Sequence, residues 1–152
     1  MGASPEKLQE LLNYCIDFAK VMLNDSGDFY PFGATLSADG QVSAAGGYNG
    51  QERPAPQDLY RLLCESFTSS AAEGSIAAAA LAANVDIPKE YNPQAPDGLR
   101  VHLESEGFSR FIYVPYVIRK KGFFAKSISV TTFEPFAVQI GPTMFNAASD
   151  AS

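Results

Sequence analysis

The chain has 152 residues, 46% of them hydrophobic and 18% charged, with a formal net charge of −6. That length suits one domain, spanning 1–152, able to bury about 70% of its unfolded surface without disulfide or metal staples. No apolar run approaches the roughly 20 residues of a membrane span, and a pI near 4.7 argues against the clustered basic surface that non-specific nucleic-acid binding requires.

The opening MGASPEKLQELL has no apolar core behind a basic head, so no secretion signal and a cytoplasmic location are expected. Ser4-Pro5-Glu6 starts a helix: Ser4 caps, Pro5 fits the first turn and Glu6 suits the positive end of the dipole. Leu8, Leu11, Leu12, Cys15, Ala19, Met22 and Leu23 recur at helical spacing until Asn24-Asp25-Ser26-Gly27, which predicts a helix over 4–24. Phe32, Ala34 and Leu36, then Asp39-Gly40, then Val42 and Ala44 predict a hairpin of strands 32–37 and 41–48. Pro56, the stripe Leu59, Leu62, Leu63 and Phe67, and Gly74 behind it predict a second helix over 57–72.

The stretch 75–87, SIAAAALAANVDI, reads as helix by alanine propensity. Gly74 before it and Val85 and Ile87 at its end favour a buried strand, with alanines that let helices press closely on a sheet. Prolines at 88, 93 and 96 make 88–98 a loop. Residues 99–104 alternate cleanly, Phe111 to Ile118 is aromatic and β-branched with Pro115 pointing to an edge or a bulge, and Ile128, Val130 and Thr132 continue the meander. EPFAVQIGPTMF reads as irregular structure or a short edge strand, and the end is expected to fray after about 146. The order is helix, two strands, helix, four strands. It predicts an α+β fold, with two main helices covering one face of a largely antiparallel sheet of about five to six strands.

Two cysteines, Cys15 and Cys64, and one histidine, His102, are too few for a four-ligand zinc site, so no metal and no cofactor are expected. Both cysteines sit among apolar neighbours and read as buried reduced thiols. Arg119, Lys120, Lys121 and Lys126 surround Phe123 and Phe124, a basic aromatic turn that would suit an anionic partner surface if the phenylalanines are exposed. Tyr113 and Tyr116 fall on opposite faces of one strand, so at least one is expected to face outward as part of a binding surface, and Tyr48 lies in a glycine-rich loop. Glu104 and Glu106, with Glu65, Glu73, Asp86 and Asp97 elsewhere, show no spacing that demands a catalytic pair and read as solvated. His102 faces away from Val101 and Leu103, toward solvent or a second layer.

The segment FYPFGATLSADGQVSAAGGYN resembles the first hairpin of cytidine-deaminase-like domains. That chemistry needs His-x-Glu or Cys-x-Glu and Pro-Cys-x-x-Cys. APQDLYRLLCESF follows here without either motif, so the resemblance implies a hairpin packed on a helix and no deaminase activity. The element order is similar to that of roadblock-like and profilin-like binding modules. FYPFGATLSADGQV, GGYNG, AAEGSIAAAALAANVDI and PTMF together resemble a set of bacterial single-domain proteins with an FYPFGA…DG opening, which implies a small bacterial cytoplasmic protein and no particular activity. The expected function is a non-catalytic module binding a protein partner or itself as a homodimer. In a sharper form it is an immunity-type protein whose acidity steers it to a basic toxin domain. The alternatives are a small-ligand binding or sensor domain, and a metal-free enzyme using carboxylates or His102.

Overall fold

In the computed structural model, residues 2–46, 55–121 and 127–145 are described. Helix α1 runs Pro5–Ser26, with the Ser4 hydroxyl accepting from the Lys7 backbone N–H and Gly27 closing the end in a left-handed conformation. Strands β1 (Phe32–Ser37) and β2 (Val42–Gly46) form the expected hairpin, and helix α2 covers Pro56–Glu73. The ambiguous alanine stretch is strand β3 (Ile76–Asp86). A single 3₁₀ turn, Lys89–Tyr91, leads to β4 (Asp97–Ser105), β5 (Phe108–Lys121), β6 (Ser127–Thr132) and β7 (Phe136–Gln139). No helix among the described residues is long and apolar enough to cross a membrane.

The α+β class holds, with seven strands among the described residues where about five to six were expected. The pairings among the described residues are all antiparallel, in the order β2-β1-β3-β4-β5-β6, with β7 also on β5. Between the pairs Tyr113↔Phe136 and Tyr116↔Thr132, β5 contributes Val114 and Pro115 while the facing chain contributes Phe133, Glu134 and Pro135. The extra residue is a bulge, and it bends the sheet where Pro115 interrupts β5. Past Pro115, β5 leaves β4 and pairs with β6, whose Val130 packs with Ile118 against the α1 core.

One expectation needs correcting: the helices do not share a face. Leu11, Cys15 and Leu23 of α1 pack on Ala78, Ala80 and Ala82, with Val101 and Val114 beside them. Leu63 and Phe67 of α2 pack on the alternate β3 residues Ala79 and Leu81, joined by Met144 from beyond β7. Strand β3 is therefore covered on both sides, and alanine fills most of its buried positions, Leu81 under α2 being the exception. A larger residue at any of these alanines would hold one helix off the sheet.

Candidate functional site

Alternation along β4 places Arg100, His102 and Glu104 on the α2 face of the sheet. The register sets them opposite Tyr113, Phe111 and Ser109 of β5. A strand whose outer face would ordinarily be solvated thus carries a charged row beneath a second layer, and its two ends are handled differently.

The Glu104 end is closed. Its side chain is 0% exposed. One carboxylate oxygen accepts from His102 Nε2 at 2.8 Å and from the Ser109 hydroxyl at 3.2 Å. The other accepts backbone N–H bonds from Thr143 at 3.0 Å and Phe145 at 2.7 Å. Burial alone would raise the Glu104 pKa. The hydrogen bond from His102, the Phe145 and Thr143 N–H groups and the attraction of His102 outweigh it and bring the carboxyl down to about 2. His102 is buried as well, edge-on to the Phe111 ring. The pair clamps the 143–145 segment across the sheet.

The Arg100 end is open. The guanidinium carbon sits 4.4 Å from the Phe111 ring centre and 5.4 Å from that of Tyr60 on α2. Among the described residues no carboxylate lies within salt-bridge distance of it, and its buried Nε has no hydrogen-bond partner. Burial raises the phenol pKa of Tyr60 and of Tyr113, partly offset by the charge and hydrogen bonding of Arg100. Arg100 and Tyr60 line a cleft of about 510 Å³. Pro56 of α2 and the Asp28–Pro31 segment before β1 wall it, and Ala83 and Asn84 of β3 complete it, just past the point where β1 pairing ends.

At the Asp28 rim, Oδ1 accepts from the Phe29 backbone N–H and from Asn84 Nδ2, both at 2.7 Å. The Tyr116 hydroxyl donates to Asn84 Oδ1. A neighbouring cleft of about 460 Å³ shares Asp28 and Asn84 and adds Asp86 and Asp97.

The residues expected from sequence are dispersed. Neither Tyr113 nor Tyr116 faces outward, contrary to expectation. Tyr113 is buried against Phe136 and Tyr91 on the α2 side, and Tyr116 is buried in the α1 core. Both faces of the strand are covered, so alternation leaves neither tyrosine free. Arg119 is exposed on β5, paired in register with Ser129, and Lys120 and Lys121 follow it on the same strand. Tyr48, Phe123, Phe124 and Lys126 lie outside the described residues. Cys15 is buried and its thiol pushed up to about 12 by that burial; Cys64 is half-buried, and its thiol is also raised, chiefly by burial. The reading of Glu104 as solvated is overturned by its complete burial. No group of three or more His, Cys, Asp or Glu that could hold a metal occurs among the described residues.

Sequence reasoning passed over Arg100. The available signal was its place in an Arg-x-His-x-Glu row next to an aromatic strand, with an amphipathic helix still needing a sheet face to cover.

No protein-family model, no curated protein and no solved structure matches the chain. The chemistry of the cleft rests on its own geometry.

Proposed function

We propose that the protein is a small-ligand binding domain whose cleft at Arg100 takes a molecule bearing a carboxylate or phosphate. The observation that carries this reading is the Arg100 guanidinium itself. It is held between two aromatic rings at the edge of a cleft, with no described carboxylate beside it. A partly desolvated cation with no carboxylate beside it is costly, and an anionic ligand that pairs with the guanidinium recovers charge-assisted hydrogen bonding. The volume falls in the range of small-molecule sites, and the walls are largely apolar with a few polar groups.

Isothermal titration with 3-phenylpropionate tests the reading. Binding to the wild type, weakened about tenfold or more in Arg100→Met, is the expected result. Methionine keeps the apolar packing of the arginine stem, so circular dichroism should show an intact fold. Equal binding by both proteins would remove Arg100 from the site.

A second reading, self-association, draws on the flank of α1. Val21 is 55% exposed and Phe18, three residues earlier on the helix, 40%. Such neighbouring apolar side chains are the kind of surface that a second copy covers. Sedimentation equilibrium should then show a dimer that Val21→Glu dissociates, and a monomer at every concentration would end this reading.

A further inference from the structure

The cleft divides along β3. Arg100 pairs in register with Ala83 on the α2 face, and Tyr60 and Pro56 of α2 line the cleft with them. Asn84, the next residue of β3, pairs with Leu99 of the α1 core and holds Asp28 on that other side. Among the described residues Arg100 is the only cation lining the cleft, and no carboxylate lies within salt-bridge distance of it. Beside it stands a second donor. A guanidinium carries N–H donors and no acceptor, so its hydrogen bonding with Tyr60 is made to the phenol oxygen, and the phenol O–H is left to donate elsewhere. Burial raises the Tyr60 pKa, so at neutral pH that proton is in place. Pro31, Pro56 and Ala83 add apolar surface around the two donors.

We propose that the α2-face part of the cleft takes a monocarboxylic acid with an apolar body and discriminates against phosphates, the carboxylate resting on Arg100 and on the Tyr60 hydroxyl. This rests on the reading of the cleft as a small-anion site and narrows it. A carboxylate brings one negative charge to one guanidinium, and two oxygens to two neighbouring donor groups. A phosphate monoester brings about −1.5 to −2 charges at pH 7 and three acceptor oxygens. Its extra charge enters a partly desolvated site with no second cation among the described lining residues, in a chain of net charge −6. The apolar body of the acid lies on the proline and alanine surface.

The test is calorimetric titration of the full chain at neutral pH with 3-phenylpropionate and with 2-phenylethyl phosphate, which share the phenylethyl body and differ in the anion. The carboxylate is expected to bind about tenfold or more tighter than the phosphate. Tyr60→Phe keeps the ring beside Arg100 and removes only the hydroxyl, so it should weaken 3-phenylpropionate about tenfold with an unchanged circular dichroism spectrum. Arg100→Met should weaken both ligands. If the phosphate binds as tightly as the carboxylate or more so, and still depends on Arg100, the small-anion site stands and selection for a monocarboxylate is wrong. Unchanged carboxylate binding in Tyr60→Phe would overturn the part given to the hydroxyl. If neither ligand binds, both readings fall.

Discussion

Glu104 is a carboxylate whose hydrogen-bond partners among the described residues are all donors: one imidazole, two hydroxyls and two backbone N–H groups. Its pKa lies at about 2, below the ordinary 4.5. A carboxyl depressed in the folded state adds stability that is fully present above the unfolded pKa and is lost as pH falls through the folded one. The shift corresponds to about 3 kcal/mol, lost between roughly pH 4.5 and pH 2. Urea titrations at pH 7, 4 and 3 should show that decline in the wild type. In Glu104→Gln it should be flattened, because the amide does not titrate. The amide also presents an NH₂ to donors, so Glu104→Gln should already be less stable at pH 7 by about 1–3 kcal/mol. A variant with an unchanged acid profile would show that Glu104 carries no pH-linked stability. The other candidate residue, Arg100, behaves oppositely. It has no carboxylate beside it among the described residues and its Nε is unpaired, so its replacement by methionine should cost less stability than Glu104→Gln while removing ligand binding.

At the level of elements, much of the architecture was readable from spacing. The Ser4 cap and the apolar stripe marked α1, Asp39-Gly40 marked the first hairpin, and Gly74, Val85 and Ile87 turned the alanine stretch from helix to strand. What periodicity cannot show is which face of a sheet a given helix takes. An α2 stripe and a polar β4 face look compatible with separate fates, and only packing brings Leu63 and Phe67 over the charged row. For the same reason Tyr113 and Tyr116 read as candidates for exposure, and the Glu104 clamp, made by residues 39 and 41 positions away, left no local signal. The close approach of α2 does leave one mark in the sequence, Gly33. A Cβ there would lie 2.6 Å from the Phe67 ring and 2.8 Å from the Ala80 carbonyl oxygen. Gly33→Ala should therefore destabilise by about 1–3 kcal/mol. Combined with Phe67→Leu, which relieves the ring contact but not the carbonyl contact, the loss should be smaller than the sum of the two single losses. Strict additivity in denaturation experiments would mean that Gly33 is not where the helix and sheet touch.

The whole molecule is closed by its last described residues. The α1 face has a core drawn from nearly every element, whereas the fully buried apolar cluster under α2 consists, among the described residues, of Leu63, Phe67, Ala79 and Leu81 until Met144 is added. Met144 is 1% exposed, and its neighbours Thr143 and Phe145 donate the N–H groups that hold Glu104. One short segment thus fills the smaller core and neutralises the cost of a buried carboxylate at the same time. Ending the chain after Ile140 removes both. Loss of the methionine contacts costs about 2–5 kcal/mol, and a buried charge stripped of its donors costs several more. Set against a total stability of roughly 5–15 kcal/mol, the truncated chain should lose its cooperative thermal transition or show it far lower, with dye-binding apolar surface exposed. Met144→Ala in the full chain should cost only the packing part. The two contributions separate further in the truncated chain carrying Glu104→Gln. There an amide replaces the orphaned carboxylate, so the substitution that destabilises the full-length protein should stabilise the shortened one. If Glu104→Gln lowers the transition temperature in both chains alike, the segment acts as packing alone and the carboxylate has other support.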